Sequence, residues 1–173
     1  MQEAERPRQV GRTTSHDARG HTRENVTPMK PTTDPGCAFC AIASGKTDAH
    51  IVYEDECGLA FLDFRPLFAG HALLIPRAHH QTLADLPDGL LASYFGAARL
   101  LSRAIPEAVG AQGSFVAINN IVSQSVPHLH VHVVPRVRKD GLRGFFWPRT
   151  KYADDAEAAR VATRVREAVA ALG

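Results

Sequence analysis

Three histidines, His128, His130 and His132, sit at every second position of the run 124–135, interleaved with Leu129, Val131 and Val133. Successive side chains of a β-strand point to opposite faces. The pattern therefore predicts a strand with all three imidazoles on one face and the aliphatic residues in the core. Neighbours on one face of a strand stand about 6.6–6.8 Å apart, whereas a zinc–nitrogen bond is only about 2.0–2.1 Å long. Two alternate histidines can converge on one ion, but three in a row do not readily do so. The spacing favours divided labour over a single tris-histidine metal site. An incidental polar face is disfavoured, because three adjacent imidazoles repel one another once protonated.

The rest of the chain is ordinary for a soluble globular protein. It has 173 residues, 45% hydrophobic and 22% charged, which suits one domain with a full core. A net charge of only +2 argues against general nucleic-acid binding. No apolar run approaches the roughly 18 residues that span a membrane. The N-terminal segment lacks the apolar stretch of a signal peptide, so a cytoplasmic location is expected. Three cysteines, Cys37, Cys40 and Cys57, do not form a disulfide framework. Cys37 and Cys40 have the C-x-x-C spacing shared by metal knuckles and redox pairs; the βαβ context of a thioredoxin motif is absent. Two plain buried thiols are the remaining alternative. Cys57, in a turn, reads as inert.

Residues 1–36 carry many charges and almost no large apolar side chains, so a disordered tail is expected there. From Cys37 onward five segments read as strands: 50–55, 58–63, 71–76, 114–119 and 128–135. The tight turn at Glu56 and Cys57 predicts a hairpin between the first two. A helix is expected over 87–104, with Leu90, Leu91, Tyr94, Ala97, Ala98 and Leu101 at helical spacing. A second is expected over 154–172, with Asp154 and Glu157 forming a capping box and Val161, Val165, Val169 and Leu172 on its apolar stripe. This alternation argues an α+β fold.

The run His-Leu-His-Val-His-Val-Val resembles the signature of the histidine-triad (HIT) superfamily. The resemblance covers about residues 37–136. It includes the Cys37-Ala38-Phe39-Cys40 opening and the Gly70-His71-Ala72-Leu73-Leu74-Ile75-Pro76-Arg77-Ala78-His79 segment. It implies a five-stranded antiparallel sheet, a long helix between strands three and four, a C-terminal helix and a homodimer. It also implies catalysis by His128, His130 and His132. His130 would attack the α-phosphorus of a nucleotide, forming a nucleotidyl-histidine that water resolves, and His132 would contact phosphoryl oxygens. A neutral imidazole suits such covalent catalysis near pH 7.

Zinc-bearing members of the superfamily complete the C-x-x-C pair with two histidines, here His79 and His128. The implied Cys37, Cys40, His79, His128 set would be closed and structural, one zinc per chain. His80 adjoins His79, but the pattern favours His79. Asp63 resembles the acid that binds ribose hydroxyls. Phe61, Leu62 and Phe64, with Phe39 and Val52, are candidates to flank the base, with core packing as the alternative. His71 either orients a triad histidine or is a satisfied core residue. Gln124 and Ser125 stand where the superfamily places phosphate and leaving-group contacts. Ser123 departs from the usual glycine there, which leaves the loop contacts open, including whether Asn119 or Asn120 is the loop asparagine.

Residues 136–152 form a basic aromatic loop. Arg136, Arg138, Lys139, Arg143, Arg149 and Lys151 face a single acid, Asp140, and Phe145, Phe146, Trp147 and Tyr152 are interleaved. This composition suits a polyphosphate, as in a diadenosine polyphosphate, with room for a divalent cation on such a substrate; a solvated loop is the plainer account. The expected function is hydrolysis of a nucleotide phosphoanhydride or phosphoramidate. The rivals are a nucleotidyltransferase or phosphorylase of the same superfamily, a non-catalytic nucleotide-binding module, and a metal-dependent H-x-H enzyme that would leave Cys37 and Cys40 without a role. No membrane partner is expected.

Overall fold

A computed structural model describes residues 32–141 and 151–172. Most of the expected tail and the middle of the basic loop, including Arg143, Trp147 and Arg149, lie outside the described residues. The chain divides into two compact units after Pro135.

In the first unit the order is α1 (Ala38–Ala43), β1 (Ile51–Glu54), β2 (Gly58–Leu62), β3 (Ala72–Pro76), α2 (Asp88–Val109) and β4 (Gly113–Ile118), and β5 (Val131–Arg136) runs across the unit boundary. The strands make one five-stranded antiparallel sheet in the order β1-β2-β3-β5-β4, as expected of the α+β class. The β1–β2 hairpin is fastened by Asp55. Its carboxylate accepts the N–H groups of Cys57 and Gly58, both at 2.8 Å, and the Tyr53 hydroxyl at 2.6 Å. Gly58 is required by close approach, since a Cβ there would meet the Ile75 carbonyl oxygen at 2.6 Å.

Alternation along the central strands sorts two cores. Ala60, Ala72, Leu74, Leu129, Val131 and Val133 pack against Tyr94, Ala97, Ala98, Leu101 and Ile105 of α2. Leu59, Phe61, Leu73 and Ile75 face the other way, onto Cys37, Phe39 and Cys40 around α1. His132 is paired with Leu73 and so belongs to this second face.

Two differences from the sequence reading have physical causes. Helix α2 runs five residues past Ala104, through Pro106. A proline removes the bond to the carbonyl four residues back, here that of Ser102, and the Ser114 hydroxyl takes that oxygen at 3.1 Å. The helix then stops at Gly110, which is left-handed at φ +68°. The second difference is that β5 starts only at Val131. The Leu129 N–H donates to the His80 carbonyl at 2.6 Å, beyond the end of β3, rather than to a ladder partner. The alternation survives, with Leu129 in the α2 core and His128 and His130 on the other face. Helix α1 has no counterpart among the expected elements. Its six residues are too few to show a periodicity.

In the second unit, α3 (Asp155–Leu172) begins where the capping box placed it: the Glu157 N–H donates to Asp154 Oδ1 at 2.6 Å and Ala153 N–H to Glu157 Oε2 at 2.5 Å. Its apolar stripe is largely exposed, with Leu172 at 90%.

Gly70 precedes β3 at φ +94°, and a Cβ there would lie 2.9 Å from Val109 Cγ1. Gly70→Ala is therefore expected to cost about 1–3 kcal/mol in chemical denaturation. Gly89→Ala, in an open position of α2, is expected to be neutral or mildly stabilising. Equal effects at the two sites would contradict the strain assigned to Gly70.

Candidate active site and metal centre

Cys37 precedes α1 and Cys40 lies in its first turn, so one short helix presents both thiols on the triad side of the sheet. Four donors gather there. Cys37 Sγ is 3.4 Å from His128 Nδ1, Cys40 Sγ is 3.6 Å from the same nitrogen, and Cys40 Sγ is 3.3 Å from His79 Nδ1. Zinc bonds of about 2.3 Å to sulfur and 2.0–2.1 Å to nitrogen at a tetrahedral angle separate S from N by about 3.6 Å. The observed spacings fit that geometry. Outer support is also present, since His128 Nε2 donates to the Pro76 carbonyl at 3.0 Å and Nδ1 is left free for a cation. Burial pushes His128 down to about 4, which keeps that lone pair unprotonated. Burial, with Cys37 adding to it, pushes the Cys40 thiol up unless a cation offsets it. A cation bound by all four would have no open position for substrate.

The middle histidine is held by a different contact. His130 Nδ1 lies 2.7 Å from the His128 carbonyl oxygen. A carbonyl only accepts, so Nδ1 carries a proton, and in the neutral ring the lone pair lies on Nε2. The ring is 3% exposed and meets Phe39 edge-on at 5.3 Å and 85°. His132 stands 4.9 Å away, ring to ring.

His132 leans on His71. The Leu67 N–H donates to His71 Nδ1 at 3.3 Å, and His71 Nε2 is 3.0 Å from His132 Nδ1. With Nδ1 accepting, His71 Nε2 donates, and His132 is left with its proton on Nε2. Burial lowers His71, with Asp63 Oδ2, 3.5 Å from Nδ1, opposing the shift. Burial, then the neighbouring His130 and His71, hold His132 down at about 4. Asp63, His71 and His132 lie close enough together to suggest a second metal group. However, the ring centroids of the two histidines are 5.2 Å apart with the nitrogens meeting almost head-on. That arrangement shares a proton and does not chelate.

Asp63 Oδ1 accepts the Arg65 N–H at 2.8 Å. Phe61 is buried against Phe39 at 5.4 Å. Leu62 is partly exposed and Phe64 fully so. Asn119 Nδ2 donates to the Ser123 carbonyl at 3.4 Å, and Asn120 Oδ1 accepts the Leu83 N–H at 2.8 Å. Gln124 donates to the Gln81 carbonyl at 2.6 Å and to the His128 carbonyl at 3.4 Å, and accepts the Ile121 N–H at 2.8 Å. Ser123, in the usual glycine position, is left-handed at φ +62°, and Ser125 is exposed. The carbonyls of His128 and Pro76 escaped the sequence reading because backbone acceptors have no residue signature. Phe39 against His130 was missed as a contact, although the Cys-x-Phe-Cys spacing signals that Phe39 travels with the thiols.

The family model for the HIT domain matches residues 44–139. The chain belongs to the HIT family. It is 36% identical over 108 residues to adenylylsulfatase HINT3 of Arabidopsis thaliana, a match covering 61% of this chain and 55% of that protein, so the chain spans about half of it. It is 33% identical over 114 residues to adenosine 5'-monophosphoramidase hnt1 of Schizosaccharomyces pombe, covering 65% of this chain and 83% of that protein. Among solved structures, a zinc-bound histidine triad family protein from Mycobacterium smegmatis superposes with TM-score 0.59 at 35% identity, covering 80% of this chain and 98% of that one. No helix among the described residues is long and apolar enough to cross a membrane.

The neutral His132 of this HIT domain sets an acid limit. An unfolded histidine titrates near 6.5, while the folded His132 is held at about 4. Between these values the unfolded state binds the extra proton. The stabilisation from His132 is thus complete above about 6.5 and lost as pH falls through about 4. His132→Gln is expected to flatten the fall of Tm over this window. An equally steep profile in the variant would place the acid sensitivity elsewhere.

Proposed function

We propose that this HIT protein hydrolyses a nucleotide phosphoanhydride or phosphoramidate at the α-phosphorus, with His130 as nucleophile. The observation that carries the reading is the bond from His130 Nδ1 to the His128 carbonyl, which leaves Nε2 as the attacking lone pair. The Nε2–P bond forms as the bond from phosphorus to the leaving group breaks, and the leaving group takes up a proton. Water then attacks the same phosphorus, the P–N bond breaks, and a nucleoside monophosphate departs with His130 restored. Splitting one displacement into two lowers each barrier.

The other residues divide the remaining work. His132, kept neutral with its proton on Nε2, donates to a phosphoryl oxygen as charge develops there. Asp63 accepts from the ribose hydroxyls through the oxygen not used by Arg65. Phe39, Leu62 and Phe64 border the base. Gln124, Asn119 and Ser125 shape the phosphate loop, the first two by holding its backbone. The Cys37, Cys40, His79 and His128 donors hold one structural zinc, supported by their tetrahedral spacing and by the zinc-bound relative. Two relatives, an adenylylsulfatase and an adenosine 5'-monophosphoramidase, support small adenylylated substrates. The basic residues after β5 support a longer polyphosphate, with a divalent cation bound to it. A homodimer is supported by β4, an edge strand that carries the exposed Val116, and by the exposed Leu91 and Phe95 of α2.

Adenosine phosphoramidate and a diadenosine polyphosphate, each assayed with and without inorganic phosphate, test the reaction class. AMP as product under both conditions is expected; an ADP product only with phosphate would indicate a phosphorylase. His130→Asn is expected to stay folded and lose about three orders of magnitude or more of turnover. Turnover close to that of the unmodified protein would contradict the nucleophile assignment.

A further inference from the structure

We propose that the metal centre positions the nucleophile, so that the metal governs reactivity as well as folding. This rests on the reading of His130 as nucleophile and of the Cys₂His₂ cluster as a zinc site. Two independent contacts join that cluster to the His130 ring. The first runs through His128. Its side chain lies against both thiols, at 3.4 and 3.6 Å, while its main-chain oxygen takes the His130 Nδ1 proton at 2.7 Å. The residue is completely buried and its Nε2 is fixed on Pro76, so a metal bond at Nδ1 leaves no freedom in the ring. The second runs through Phe39, which sits between the two cysteines and closes one side of the His130 ring edge-on.

Helix α1 cannot maintain this arrangement unaided. It has six residues, no side-chain cap at Cys37, no acid in its first turn and no base in its last. Isolated helices of that length are unstable in water. Its hold on the sheet is the small cluster containing Cys37, Phe39 and Cys40. Four metal bonds would tie α1, the segment after β3 and the residue preceding Leu129 into one cross-link. Without them two buried neutral thiols face two imidazoles through weak S–H contacts. Phe39 can then swing from His130, and the His128 carbonyl is less firmly directed. A metal held by these four side chains would act only through the protein; His128 and Phe39 are positioning residues for His130.

The test begins with metal analysis of the purified protein. Fewer than about one zinc per chain after saturation would defeat the metal reading itself, separately from the coupling. Next, ¹⁵N spectra of labelled histidine rings are recorded for the zinc protein and after exchange with cadmium, whose longer bonds keep a closed thiolate site and hence the fold. The His130 ring is expected to hold one tautomer, protonated at Nδ1, with zinc. Its resonances are expected to move on cadmium exchange while those of the exposed His50 do not. Chelation, where the fold survives, is expected to average the His130 tautomers and lower kcat about ten- to a hundredfold, with recovery on adding zinc. His130 resonances that ignore cadmium exchange would overturn the proposal, even if the metal-free chain unfolds. So would a folded metal-free protein with unchanged turnover.

Discussion

The hydrogen bond from His130 Nδ1 to the carbonyl of His128, 2.7 Å long, ties the chemistry of the site to the geometry of the fold. It joins two residues separated by one position, so it exists only while the chain is extended there. That extension depends on Leu129 being drawn into the α2 core and on its N–H reaching the His80 carbonyl. The same residue that offers the carbonyl also offers its imidazole to the two cysteines. Backbone, core and metal donors thus converge on one residue, His128. The tautomer of its neighbour is the outcome.

Neutrality is the second constraint. Three imidazoles and His71 crowd one face of a sheet whose inner strands are buried on both sides. Burial lowers His71, His128 and His132, so the cluster need not carry mutually repelling charges. A neutral ring keeps one donor and one acceptor, and each ring is oriented by a named partner. His128 rests on Pro76, His130 on His128 and His132 on His71. Asp63 supplies a negative charge beside His71 without replacing any of these bonds.

Much of this was legible in the sequence because period and spacing survive folding. The two-residue histidine period gave the face, the 3.6-residue stripe gave α2, and the resemblance to the HIT superfamily named four residues that gather as a cluster able to hold a metal ion. The end of α2 was misjudged because whether Pro106 ends a helix depends on who takes the Ser102 carbonyl, and Ser114 is a tertiary partner. The short α1 left no periodic trace. The start of β5 was misplaced by three residues because alternation records where side chains point, not where ladder bonds begin. Gln124, expected near phosphate, also bonds to the main chain of Gln81, Ile121 and His128, beside left-handed backbone at Ile121 and Ser123 that sequence pattern does not report. The stripe of α3 was read correctly as a stripe, but periodicity cannot name what covers it.

Catalysis by His130 as proposed requires a transient bond between its Nε2 and phosphorus. Rapid quenching during turnover of a nucleotide substrate, followed by peptide mass spectrometry under conditions that preserve P–N bonds, tests it directly. The account predicts a peptide spanning Leu129 to Val131 that carries one nucleoside monophosphate on His130, appears within the first turnover and disappears as product accumulates. A protein that turns over substrate with no such adduct, or with the adduct on another residue, would contradict it.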